Sequence, residues 1–235
     1  MAEEEIQRFT TWQIIQHVLW AIAFTTLLIT GLALKFPDNF LSQAVIGALG
    51  MSLRATLHRL AAVLFIGIGI VHIVYYTVID RGPKPIIPNR KDLSDIVQDV
   101  KYHLRMTKEE PKYGRYTWIE KFDYWAGAIG SFIIGITGIA MWISYAEPAG
   151  FGPTLLSGLS LQVYNWFRQI HGWEAILAGA VIVLLHMYMA VWRPGTFPIA
   201  KQIWTGKMPR HHYEDEHPLE LEEIEATGEA ASGSE

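Results

Sequence analysis

The chain has 235 residues, of which 51% are hydrophobic, with nine tryptophans and no cysteine. The absence of cysteine excludes Cys-ligated iron–sulfur clusters, covalent haem attachment through C-x-x-C-H, and disulfides. Any metal held by this chain therefore relies on His, Met or carboxylates. The net charge of -4 carries little information, because the acidic residues gather in the two tails, and nothing in the pattern points to a nucleic acid.

Four apolar windows reach the roughly 20 residues a helix needs to cross a bilayer: 12–34, 53–79, 122–145 and 170–192. The start, MAEEE, is acidic and the first window is too long for a cleaved signal peptide. Arg54, His58 and Arg59 interrupt the second window early, so its lipid-embedded part is expected to begin near His58. Ten of the nineteen Lys and Arg residues fall in 81–121, while 36–52 and 146–167 have none. By the positive-inside rule, both termini and the long middle loop face the cytoplasm. The fold class expected is all-α integral membrane, a four-transmembrane-helix bundle with N-in/C-in topology. Within the middle loop, RGPKPIIP ends the second span. After it, Leu93, Ile96, Val97, Val100 and Leu104 recur at helical spacing over 92–106, predicting a surface amphipathic helix. The expected domains are a membrane domain over 1–210 and an acidic, disordered tail over 211–235.

Five of the nine histidines lie inside the spans: His17, His58, His72, His171 and His186. The topology puts His58 and His171 near the outer face and His17, His72 and His186 near the inner one. At about 100° per residue, the fourteen steps from His58 to His72 return within about 40° of the same direction, and the fifteen from His171 to His186 within about 60°. The rise separates each pair by roughly 21 Å. Two helices thus offer one histidine at each of two levels, as two stacked bis-imidazole haems require. Ala62, Gly69, Ala175, Ala178 and Gly179 fall near the same faces and permit close packing or a porphyrin edge. Proton relay or metal transport is the alternative use of such histidines. A transporter should also carry mid-membrane acids or broken helices; the span interiors hold no Asp or Glu, though Glu174 lies one turn into the fourth span.

HMYMAVW (186–192) with the following KQIWTGKMPRHH, RATLH (54–58), YTWIEKFDYW (116–125) and His17 carry a resemblance over nearly the whole chain. It resembles the cytochrome b (gamma) subunit of membrane-bound formate dehydrogenase, in the wider dihaem cytochrome b family of thiosulfate reductase and nickel–iron hydrogenase. The resemblance implies two b haems stacked across the cytoplasmic (inner) membrane of a prokaryote, with His58 and His171 on the outer iron and His17 and His186 on the inner. Two departures stand out. The step from His171 to His186 is one residue longer than in formate dehydrogenase. His72 is a further inner-level candidate, so His17 and His72 compete, and His72 could instead serve a propionate, a quinone or a third haem. The His58–His72 spacing is also similar to that in quinol-oxidising cytochrome b6-type subunits, whose quinone motif is missing here.

Arg54 and Arg59 flank the outer level and suit haem propionates, or anchor the helix at the interface. The resemblance implies a quinone site at the cytoplasmic start of the third span, at Tyr116, Thr117, Glu120 and Lys121; the formate dehydrogenase pattern has Asn and Gly where Thr117 and Ile119 stand. Asp123 is placed to convey protons or to cap a helix start. The expected function is a quinone-reactive dihaem cytochrome subunit carrying electrons between a redox partner and the menaquinone or ubiquinone pool. The partner, an iron–sulfur or multihaem cytochrome subunit, must hold the centres a Cys-free chain cannot. A haem-free histidine transporter is the alternative of a different class.

Overall fold

In a computed structural model the described residues are 4–80, 82, 84–145, 160–194 and 196–228. The chain divides into two compact units, one of Met1–Ile14, Arg81–Trp125 and Met189–Glu235, the other of Ile15–Asp80 and Ala126–Tyr188.

The second unit is built from four long helices: α1 (Thr11–Lys35), α2 (Phe40–Val74), α4 (Trp118–Tyr145) and α5 (Leu161–Val181), the first and third of which begin in the other unit. Tyr75–Ile79 continues α2 as a π-helical turn, and Ile182–His186 and Tyr188–Trp192 continue α5 in the same way. The four continuous stretches are 25, 40, 27 and 32 residues long and apolar enough to cross a membrane. Large apolar side chains point outward, among them Ile22, Leu60, Phe132 and Leu184. The buried positions are mainly small or polar: Ala23, Thr30, Ala33, Ala61, Thr137 and Ala140. That is the distribution of helices solvated by lipid, which gains nothing by hiding Leu but lets small residues bring backbones together.

All four expected spans lie inside these helical stretches, and all four stretches begin earlier than hydropathy suggested, the first by a single residue. The stretch 36–52 is not all loop: α2 starts at Phe40, capped by Asn39, and passes through Gly50 at φ +69°. Only glycine takes that positive φ without cost, so Gly50 is a break in the helix, and two helical stretches join across a kink there. At α4, Thr117 and Glu120 form a reciprocal capping box, with Glu120 N–H donating to Thr117 Oγ1 at 3.1 Å and Thr117 N–H to the Glu120 carboxylate at 2.8 Å. This satisfies two amides that a helix start otherwise leaves unpaired. Ser160 caps α5, which begins at Leu161, nine residues before the expected 170. Gln162, Asn165 and Arg168 lower hydropathy there without opposing a helix.

In the first unit, β1 (Glu5–Gln7) pairs antiparallel with β2 (Lys207–Pro209). Ile6, Met208, Tyr213 and Leu221 form a small core, with Ile224 packed on it. The disordered tail expected over 211–235 is corrected as far as Thr227: α7 (Arg210–Glu216) and α8 (Pro218–Thr227) are helical, while 229–235 lie outside the described residues. Arg8 explains the difference. It is 1% exposed, donates to Glu220 at 2.8 Å, and lies over the rings of Tyr116 and Tyr213. Arg115 holds the other Glu220 oxygen at 2.6 Å and the Arg8 carbonyl at 2.6 Å. A short helix, α6 (Gln202–Thr205), ends at Gly206, whose carbonyl accepts from the amides of Arg8 and Phe9. Any larger residue at Gly206 would run into the Phe9 carbonyl.

The amphipathic helix expected over 92–106 is α3 (Arg90–His103), started by an Asn89–Asp92 capping box. Its apolar residues Leu93, Val97, Val100 and Leu104 face outward, and Asp92 and Asp95 are buried. This reverses the arrangement of a helix bathed in water and suits one whose outer face meets lipid.

Candidate functional site

The histidines of the spanning unit come together in two pairs. The His58 and His171 ring centres are 6.3 Å apart, inclined at 64°, and those of His17 and His186 are 5.9 Å apart, inclined at 34°. His72 stands separately. Its Nδ1 is 2.9 Å from Gln16 Oε1, and its ring lies 5.2 Å from Trp20 and 4.6 Å from Tyr76. Among the described residues no three His, Cys, Asp or Glu side chains gather to hold a metal by themselves. Facing imidazoles suit a metal that brings its own equatorial ligands, as haem iron does.

The spacing supplies a test of fit. Two imidazoles on one metal, with metal–nitrogen bonds of about 2 Å and ring centres about 1 Å beyond each nitrogen, stand about 6 Å apart. Both pairs meet it. The outer pair is also prepared chemically. Thr30 donates its only hydroxyl proton to the Thr26 carbonyl at 2.5 Å, so at 2.8 Å from His58 Nδ1 it accepts. His171 Nδ1 lies 3.0 Å from the Ile134 carbonyl, an obligate acceptor, and 3.2 Å from Thr137 Oγ1. In both rings the proton is thereby placed on Nδ1 and the lone pair on Nε2, the form in which a second partner orients a metal-binding histidine.

The next residue completes each cradle. A Cβ on Gly31 would come within 3.3 Å of His58 Cε1, and one on Gly138 within 3.0 Å of His171 Cε1. A Thr-Gly step thus meets an outer histidine in two places, Thr30-Gly31 on α1 and Thr137-Gly138 on α4, each on the helix preceding the one that carries its histidine. Neither step stands out in the sequence, since Thr and Gly are common in membrane helices. The available signal was the repeat of the same dipeptide ahead of both outer histidines.

The π-helical turn Ile182–His186 bears on the fifteen-residue step from His171. Its closing bond runs from the Met187 amide to the Ile182 carbonyl. A π turn takes up one residue more than an α turn, which matches the extra residue in this spacing. Arg54 is 7% exposed and donates to the Thr30 carbonyl at 2.8 Å, leaving its Nε buried without a partner. Arg59 lies over the Trp142 ring at 5.8 Å.

The residues expected to meet quinone also have partners within the chain. Thr117 and Glu120 are the capping box of α4, and Glu120 also reaches Arg8 at 3.4 Å. Lys121 is buried with its ammonium on both Asp92 oxygens, at 2.7 and 3.0 Å. The Tyr116 ring lies beneath the Arg8 and Arg115 guanidiniums. Nearby, burial and the adjacent Arg8 hold the His217 imidazole down at about 4, against the bond from its Nδ1 to the Gly114 carbonyl.

Residues 8–206 match the family described as prokaryotic cytochrome b561. The chain is 25% identical over 228 residues to the formate dehydrogenase cytochrome b556(fdo) subunit of Escherichia coli K12, covering 96% of each protein. It is 28% identical over 150 residues to the nitrate-inducible formate dehydrogenase cytochrome b556(Fdn) subunit of the same strain, covering 63% of each. With four helices able to cross a membrane and histidines set in facing pairs, the chain belongs to the prokaryotic cytochrome b561 family and is a multi-pass b-type cytochrome of electron transfer.

Proposed function

We propose that the protein is the quinone-reactive dihaem subunit of a larger oxidoreductase, carrying electrons across the membrane between a redox partner and the quinone pool. The observation that carries this reading is the pair of His–His spacings, 6.3 and 5.9 Å. His58 and His171 hold the outer iron, and His17 and His186 hold the inner. His72 is not an axial ligand in this reading, because its ring is set against Gln16, Trp20 and Tyr76. Haem b bound at each pair supplies one-electron Fe(III)/Fe(II) chemistry.

The chain's own contribution is to fix the ligands and their surroundings. Thr30, Thr137 and the Ile134 carbonyl hold the outer imidazoles with Nε2 turned to accept iron. Arg54, with a donor to spare, and Arg59 neutralise propionates at the outer level. Lipid-facing helices exclude water, so charge crosses by electron transfer rather than by ion leakage. Quinone chemistry belongs to the cytoplasmic side, where Tyr116 and the capping carboxylate of Glu120 stand at the start of α4. Taking up two electrons requires two protons, and these come from water on that side. The partner subunit holds the iron–sulfur or multihaem centres, by analogy with relatives that are subunits of formate dehydrogenase.

A haem count tests the reading. The full chain, produced with haem available and purified in detergent, should give two haem b per polypeptide by pyridine haemochrome, both reducible by dithionite. One haem would leave a single pair in use. Three would return His72 to the list of ligands.

A further inference from the structure

His72 is the histidine that neither haem uses, and its surroundings are too particular for a spare residue. Gln16, one residue before His17, is 4% exposed and turns one end of its amide to His72 Nδ1 at 2.9 Å. The other end, Nε2, is buried with no hydrogen-bond partner. A buried amide donor left without a partner is destabilising, so a native structure retains one mainly where something else supplies the acceptor. The walls are aromatic. Trp20 lies 5.2 Å from the His72 ring, with its Nε1 donating to the Phe65 carbonyl at 3.2 Å and its edge 3.8 Å from the Cβ position of Gly69. Tyr76 lies 4.6 Å from the same ring, and Tyr75 is in contact with Tyr76. Both tyrosines belong to the π-helical turn Tyr75–Ile79, an irregularity that recurs where helices meet ligands and that can shift without breaking a regular helix.

We infer that Gln16, His72, Trp20 and Tyr76 form a headgroup site for a quinone, the Gln16 amide donating to a quinone carbonyl oxygen between aromatic walls. The inference deepens the proposed function and rests on it. A quinone ring is flat and apolar except at its two oxygens, and one amide donor within an aromatic frame matches that chemistry. A haem propionate offers the same acceptor oxygen but brings a full charge into hydrocarbon, which calls for a cation. Arg54 and Arg59 answer that need at the outer pair, whereas Gln16 answers with a neutral amide. The donor of this site, Gln16, is adjacent in sequence to the inner ligand His17.

Equilibrium dialysis of labelled 2,3-dimethyl-1,4-naphthoquinone against the haem-loaded full chain in lipid nanodiscs tests it, with haem content and both haem potentials measured on the same samples. Gln16→Leu and His72→Phe should each weaken quinone binding about fivefold, leaving two haems and both potentials as in the unsubstituted chain. Unchanged quinone affinity in both variants overturns the site. A shifted inner potential with unchanged quinone affinity also overturns it and assigns the amide to a propionate. An unsubstituted chain that holds no haem, or that holds haem but binds no quinone, overturns the proposed function itself. Should Gln16→Leu disturb haem loading at the adjacent His17, His72→Phe decides alone.

Discussion

Both units bury polar side chains, but to different ends. In the unit that carries the termini, buried charges meet opposite charges: Arg8 with Glu220, Lys121 with Asp92, Asp95 with Lys91. In the spanning unit four buried polar residues gather instead around histidines. Thr30 and Thr137 stand against His58 and His171, Gln16 against His72, and Arg54 on the Thr30 carbonyl. Two of these, Gln16 and Arg54, keep a buried donor without a partner. Polar burial in the first unit holds segments together that are far apart in the chain; in the second it prepares a place for groups the chain does not itself contain.

The comparison is broken most completely by removing a ligand. His58→Ala should reduce haem b from two to one per chain and leave the inner haem in place, as read by pyridine haemochrome and redox titration. The ion pairs of the terminal unit, Arg8 with Glu220 and Lys121 with Asp92, should be unaffected. Conversely, Glu220→Ala leaves Arg8 buried and Arg115 without their carboxylate. Breaking a buried pair from one side costs about 3–5 kcal/mol. Limited proteolysis should then cut within α7 and α8, while the haem count stays at two; loss of haem in this variant would show the two kinds of burial to be one system.

A pH titration reaches the same unit without mutation. Burial, and then Arg8, lower His217 from the ordinary 6.5 to about 4. Between those values the unfolded segment binds a proton that the folded one does not, so stability falls as pH drops from 6.5 to 4 and levels off below. At about 1.4 kcal/mol per unit, the loss approaches about 3 kcal/mol for this group. Protection of the α7–α8 amides in hydrogen exchange should decline over that window, and His217→Gln should flatten the decline.

Much of the spanning unit was legible in the sequence because lipid writes in long runs. Twenty apolar residues and a fixed rise per residue gave four helices, and the same rise placed histidines at two levels. What escaped depends on contacts across the chain. Nothing local shows that Glu220 meets Arg8, 212 residues away, so an acidic segment read as disordered although Leu219, Leu221 and Ile224 were there to pack. Thr117 and Glu120 read as quinone groups by resemblance, yet their spacing is also that of a capping box. Asp92 as the partner of Lys121 joins two helix starts, which neither pattern reveals alone.

The Thr-Gly cradles allow a finer test of what the outer pair gains from its surroundings. Thr137→Val keeps shape but removes one acceptor at His171 Nδ1, and the Ile134 carbonyl remains at 3.0 Å. Thr30→Val removes the sole acceptor seen at His58 Nδ1. Loss of such a partner typically costs 10–100-fold in metal affinity, so outer-haem retention should fall more in Thr30→Val than in Thr137→Val. The order reverses for the neighbouring glycines. The alanine methyl of Gly138→Ala would lie 3.0 Å from His171 Cε1, against 3.3 Å from His58 Cε1 for Gly31→Ala. Overpacking of this kind costs about 1–3 kcal/mol, with the tighter contact at the upper end. Dissociation of the outer haem should therefore rank Gly138→Ala above Gly31→Ala, with the inner haem unmoved in both. Equal effects would mean that the histidine rings turn aside to admit a methyl, and that the threonines alone fix them.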